Sequence, residues 1–169
     1  TYLDSVEYPI DTLFLKPTAA YKKSIILVKK EGGNWETIKS GEYTSPIPLD
    51  ITTNEIFLRV IDQDSSQFTY PLELKRLKSK VSTLDSLIVS AGTLTPSFSP
   101  EVTSYTDTLL PTDTAVTIYS YITHDLATSD QSDSVFIALA GGKDTTFTQS
   151  IIAHNGTDKT IYTITIHRP

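Results

Sequence analysis

Three histidines, His124, His154 and His167, are the first side chains to weigh for acid–base or metal chemistry. A metal pair is spaced so that both imidazoles meet one ion, as at i and i+4 on a helix face or i and i+2 on a strand. None of the three has such a partner, so each reads as a surface histidine, and His167 should point away from the core. No Gly-x-Ser-x-Gly elbow, His-Glu-x-x-His pair or phosphate loop occurs. The chain has no cysteine, which removes thiol nucleophiles, thiolate metal sites and disulfides together. No nucleophile–base pair is visible, so no catalytic residue and no cofactor is assigned, and the chain is not expected to be an enzyme.

Carboxylates gather in two loops. "IDQDSS" at Ile61–Ser66 has an Asp-x-Asp step, and "TSDQSDS" at Thr128–Ser134 sets Asp130 and Asp133 near Asp125. Calcium takes roughly six to eight oxygens from converging loops, and Asp125, Asp130 and Asp133 are the candidate ligands. Polar turn chemistry accounts for the same residues, and the loop has neither a Gly hinge nor a terminal Glu, so no metal is assigned. Among aromatics, Trp35 and Tyr43 are candidates for stacking on the apolar face of a sugar ring. A lone Trp beside the "EGGN" turn also suits the capping of a core. Tyr119 and Tyr121 alternate on one run, and two or more exposed rings on one face would mark a sugar platform. "NGT" at Asn155–Thr157 fits a glycosylation acceptor and equally a tight turn.

Whatever positions these residues is built from strands. Thr and Ser supply 44 of 169 residues, tyrosine is frequent, and Pro and Gly fall between short alternating apolar runs. Such residues suit a pleated, half-buried surface. Strands are expected at Thr12–Leu15, Ser24–Lys29, Trp35–Lys39, Glu55–Ile61 and Phe68–Leu74. A second set is expected at Leu84–Ser90, Tyr105–Leu109, Ala115–Ile122, Val135–Leu139, Gln149–Ala153 and Thr160–His167. That spacing indicates β-sandwiches. No apolar run is long enough to span a membrane as a helix. Thr1 opens without a leader or an initiator Met, which predicts a processed or excised piece.

Charge is divided unevenly. Residues 1–80 hold eleven Lys and Arg against eleven Asp and Glu, and residues 81–169 hold three against nine, so the second half carries the whole net charge of −6. Nucleic acid is an unsuitable partner, since phosphate binding needs concentrated cationic surface. The doublets Lys22–Lys23, Lys29–Lys30 and Lys75–Arg76 read as solvated faces.

The two halves share a plan. Tyr70, Leu72, Leu74 and Arg76 recur as Tyr162, Ile164, Ile166 and Arg168, each 92 positions later. This places Tyr70 and Tyr162 at equivalent core positions, with each arginine marking the emergence of its strand into solvent. "DTL" at Asp11–Leu13 recurs at Asp107–Leu109, which pairs those segments. A repeated period with differing loops indicates two copies of one supersecondary unit. The copies are 1–77 and 84–169, joined by a stiff junction at 78–83 with apolar contact expected through Leu77 and Val81.

"LDSLIVSAGTLTPSFSPEVTSYTDTL" at Leu84–Leu109 followed by "AHNGTDKTIYTITIHR" at Ala153–Arg168 resembles the bacterial cadherin-like β-sandwich domain. Its residues also have their own physical reading. Gly92 permits a turn that a side chain would obstruct. Pro96, Phe98 and Pro100 make a rigid crossing segment, Phe98 plugs the sandwich end, and Tyr105 re-enters the core. The first copy lacks the opening motif, so its first strand is truncated, replaced or contributed from elsewhere. The resemblance implies an all-β chain of two tandem immunoglobulin/cadherin-like β-sandwiches. It implies a non-catalytic structural or adhesion module of a bacterial secreted or cell-surface protein, such as a lipoprotein. Its partners would be other domains of the parent protein and a cell-surface protein or glycan. The alternative is a carbohydrate-binding module beside a glycan-degrading or glycan-capturing protein.

Overall fold

The structure is a computed structural model that describes residues 1–21 and 23–169, so Lys22 of the first basic doublet lies outside it. Every regular element among the described residues is a β-strand. The chain divides into two compact units, Thr1–Ser79 and Lys80–Pro169, and each is a β-sandwich.

The first unit contains β1 (Tyr2–Val6), β2 (Thr12–Leu13), β3 (Ile25–Lys30), β4 (Glu36–Ile38), β5 (Ile47–Pro48), β6 (Thr52–Ile61) and β7 (Gln67–Arg76). One sheet runs β1-β7-β6-β3-β4, and β2 and β5 form a second, two-stranded sheet. Successive side chains on a strand change faces, so Ile26 and Val28 are buried while Ile25 is exposed. Val28, Ile38, Ile47 and Ile56 form a small centre, with Leu13, Leu15, Leu58 and Leu72 packed around it.

The second unit contains β8 (Leu84–Val89), β9 (Leu94–Thr95), β10 (Ser104–Thr108), β11 (Ala115–Ile122), β12 (Thr128–Ser129), β13 (Ser134–Ala138), β14 (Thr145–Ile152) and β15 (Lys159–His167). Its sheets run β12-β14-β15-β10-β9 and β13-β11-β8. On β15 the alternation places Tyr162, Ile164 and Ile166 fully inside, each 0% exposed. Burial of this kind contributes about 1.5–3 kcal/mol per side chain, so one strand supplies a large part of the unit's stability. Phe98 packs on the same core and stacks on Tyr105, the ring centroids 6.1 Å apart. The crossing segment holds a cis Thr95–Pro96 bond.

Strand registers show how the two units correspond. β1 runs parallel to β7 with Tyr2 opposite Leu72 and Asp4 opposite Leu74. β10 runs parallel to β15 with Tyr105 opposite Ile164 and Asp107 opposite Ile166. Tyr2 and Asp4 are therefore the counterparts of Tyr105 and Asp107. The pairing of Asp11–Leu13 with Asp107–Leu109 is corrected: Asp11 matches Thr114, since the N–H groups of Leu49 and Leu139 donate to the carbonyls of Asp11 and Thr114 at 2.7 and 2.9 Å. β2 pairs with β5 as β11 pairs with β13. Three shared letters carried less information than a parallel ladder closed across the whole unit.

The arginines are also corrected. Arg76 is no solvent marker: its Nε and Nη2 donate to the carbonyl of Tyr8 at 3.1 and 2.8 Å, and its Nη1 to that of Leu49 at 3.0 Å. Arg168 repeats the arrangement on the carbonyls of Pro111 and Leu139. A guanidinium presents a planar fork of donors, and in both units it ties two loop carbonyls to the end of the last strand.

Tyr70 departs from its counterpart. It is 40% exposed, against 0% for Tyr162, so its placement in a closed core is corrected. The alternation does turn Tyr70 to the inner face, but the layer that closes over Tyr162 has no equivalent there. Among the described residues, β8 beside β11 and β9 beside β10 have no counterparts in the first unit.

Asp107 is fully buried. Its Oδ1 accepts from the N–H of Thr93 at 2.7 Å, and its Oδ2 has no hydrogen-bond partner among the described residues. Burial pushes its carboxyl above the ordinary value of 3.8, the Thr93 N–H opposing part of the rise. The folded state therefore holds this proton more tightly than the unfolded chain does. The Asp107 contribution is fully present below the ordinary value and is lost as pH rises through the raised one. Denaturation midpoints of the second unit measured against pH should show this fall relative to Asp107→Asn, which keeps the acceptor and cannot ionise. A difference of the opposite sign would refute the assignment.

Candidate functional site: an exposed aromatic sheet face

The alternation on β11 sends Val116, Ile118 and Ser120 inward, all buried, and turns Tyr119 and Tyr121 outward. The register then determines their neighbours. Tyr119 lies opposite Ile88 on β8 and opposite Ser134 on β13. Phe136 lies opposite Thr117, one diagonal step from Tyr119 on the same face. Ile88, Tyr119, Tyr121 and Phe136 are all exposed, Phe136 at 69%. Three rings and an isoleucine on one sheet face form an apolar patch of the sort that marks a contact surface. Sequence alternation singled out the two tyrosines. Phe136 and Ile88 needed the cross-strand register, their sequence signals being the alternating "SVFIA" run for Phe136 and the "LDSLIV" run for Ile88.

The other aromatic candidates lie elsewhere. Trp35 has two cations over its ring on the outer face of the first unit, the Arg59 guanidinium carbon 4.2 Å and the Lys29 ammonium 5.1 Å from its centroid. Such contacts are attractive because the ring face is electron-rich, and they occupy the surface that a sugar would need. Tyr43 is exposed, with Lys16 Nζ 5.2 Å from its centroid. It lies in the loop between β4 and β5 of the first unit. Trp35 and Tyr43 therefore have different supports.

Of the acidic candidates, the Asp130 carboxylate is bonded to the backbone. Asp130 Oδ1 accepts from the N–H of Ser150 at 2.8 Å, and the carbonyl of Asp133 accepts from Ser120 at 3.0 Å. Asp125, Asp130 and Asp133 do not converge, and among the described residues no three His, Cys, Asp or Glu side chains form a metal-holding group. His124 and His154 stack with centroids 6.2 Å apart, a pairing their sequence separation concealed. His167 Nδ1 lies 2.5 Å from Asp144 Oδ1 on the surface. Asn155 Oδ1 accepts from the N–H groups of Thr157 and Asp158 at 3.0 and 3.1 Å, closing a turn. Lys30 pairs with Asp50 and the carbonyl of Pro48. Among the described residues no helix is long and apolar enough to cross a membrane.

No protein-family model matches this sequence. No curated protein matches it either. Among solved structures it is similar to human CDH23 EC21-23, at 17% identity and a TM-score of 0.30, over 88% of this chain and 59% of that one. The chain thus spans less than two thirds of that neighbour, and at this level the likeness carries no functional argument.

Proposed function

We propose that this chain is a non-catalytic structural or adhesion module of a bacterial secreted or surface protein, and that it makes contact through the sheet face of Ile88, Tyr119, Tyr121 and Phe136. The supporting observation is that face: four large apolar side chains exposed on one sheet of a sandwich whose core is already full. The cadherin-like reading rests on the motif at Leu84–Leu109 and on the sandwich itself. A second reading has the same support, because exposed rings on one face also suit the C–H surface of a glycan.

Tyr119→Ala with Phe136→Ala tests both. These side chains are exposed, so the variant should keep its fold. It should lose attachment of chain-coated beads to bacterial or host cell surfaces by roughly tenfold to a hundredfold, each ring contributing about 0.5–1.5 kcal/mol. Unchanged attachment would remove the face from the reading. A glycan array run with both proteins decides between the readings: a glycan bound by the parent and lost in the variant makes the module carbohydrate-binding.

A further inference from the structure

In the second unit, residues 84–103 supply β8 and β9 and seat Leu84, Leu87, Leu94 and Phe98 on the core, and three side chains hold that segment by its backbone. The Tyr162 hydroxyl donates to the carbonyl of Pro100 at 2.6 Å and accepts from the N–H of Leu84 at 3.1 Å. The Tyr105 hydroxyl lies 2.8 and 2.7 Å from the carbonyls of Ser99 and Val102 and accepts from the N–H of Ser99. Asp107 accepts from Thr93. The first unit has the same three residue types at the corresponding places, Tyr70, Tyr2 and Asp4. None of the three is engaged there in the same way. Tyr2 is 62% exposed where Tyr105 is 3%, and Tyr70 is 40% exposed where Tyr162 is buried. Among the described residues, Asp4 accepts only from the N–H of its neighbour Ser5.

The uncovered place is a groove of about 620 Å³, lined by Tyr2, Ile56, Leu58, Val60, Tyr70 and Leu72 among others. The register matches Ile56 and Val60 to Phe147 and Ile151 of the second unit, both buried in its core. The groove is thus the inner face of a sandwich that lacks its opening strand and crossover.

We propose that the first unit is completed by an extended segment of the same polypeptide, of the kind of residues 84–103, joined directly ahead of Thr1. Its strand would lie beside β2 as β8 lies beside β11, and its crossover would fill the groove. The hydroxyls of Tyr2 and Tyr70 would hold its backbone, and Asp4 would accept an N–H next to a glycine, which the close approach of that carboxylate requires. The groove and the three matching side chains carry this proposal. The same-chain source follows from the second unit, where the covering segment runs without a break into β10.

The test is a chain with a second copy of residues 84–103 fused ahead of Thr1. Tyr2 and Tyr70 should become buried, and amides of the added strand should gain about a hundredfold or more protection from exchange. The first unit's melting temperature should rise by about ten degrees or more. Aspartate in place of the leucines that copy Leu84 and Leu87 should abolish all three effects. An added segment that exchanges freely, or that docks only on the second unit, overturns the proposal. So does a free 84–103 peptide that fills the groove when the fused copy does not, because the strand would then come from a partner chain.

Discussion

Tyr162→Asp will unfold the second unit, while Tyr70→Asp will leave the first unit folded. The two tyrosines occupy the same step of the same strand plan, on β15 and β7, yet their surroundings differ. Tyr162 is wholly buried, with its hydroxyl bonded to Leu84 and Pro100. Removing the ring forfeits about 3–5 kcal/mol of packing, and an unpaired carboxylate in its place adds several more. A domain of about ninety residues has some 5–13 kcal/mol in total, so the replacement exhausts it. At Tyr70 the carboxylate reaches water, and the loss should be about 1 kcal/mol. Amide spectra resolve the units separately, and collapse of the first unit's peaks in Tyr70→Asp would refute the open-groove description. In the fused chain, Tyr70→Asp should become as damaging as Tyr162→Asp, because the same ring would then be covered.

The Tyr70 contrast also shows what alternation encodes. The run Tyr-x-Leu-x-Leu tells which face of β7 a side chain takes, and that reading holds: Leu74 is buried and Leu72 packs on the core. Whether that face is then closed depends on a layer that comes from elsewhere in the chain, and nothing local to β7 records its absence. β1 was missed for a related reason. "TYLDSV" is short and partly polar, and its strand identity comes from a parallel ladder with residues some seventy positions away. The arginines were misread because a basic residue ending a strand is usually solvated, and only the fold brings two loop carbonyls within reach of each guanidinium.

The candidate site was legible to the same depth. Tyr119 and Tyr121 could be paired from sequence because they sit two residues apart on one strand, where period two is dependable. Adding Phe136 and Ile88 required the registers of two further strands, which depend on turns and bulges; the β8–β11 ladder shifts register between Tyr121 and Ile122. Trp35 stood out by rarity, yet Arg59 and Lys29 cover its ring from neighbouring strands. Rarity in composition proved a poorer guide to exposure than strand phase.

Gly92→Ala will be among the most damaging conservative changes in the second unit, and Gly156→Ala is its control. Both glycines have φ of +77°, a left-handed conformation that costs an L-residue about 1–2 kcal/mol. An added Cβ at Gly156 meets nothing within 4 Å, whereas at Gly92 it would stand 2.0 Å from Asp107 Oδ1 and 2.8 Å from Leu109 Cδ2. Neither neighbour can yield freely, since Asp107 and Leu109 are both buried. Moving the carboxylate also breaks its bond to Thr93 and leaves that N–H without its acceptor, at about 1–3 kcal/mol. Overpacking adds a further 1–3 kcal/mol or so. Gly92→Ala should therefore cost about 3–8 kcal/mol against about 1–2 for Gly156→Ala, read as denaturation midpoints of the second unit. In an Asp107→Ala background most of the excess at Gly92 should vanish, because that collision is with the carboxylate. Equal costs at the two glycines would mean that the contact between Gly92 and Asp107 is not tight. The second unit would then hold its opening segment by apolar packing and the Tyr105 and Tyr162 hydroxyls, without the carboxylate, and Asp4 would lose its place among the groups expected to receive such a segment in the first.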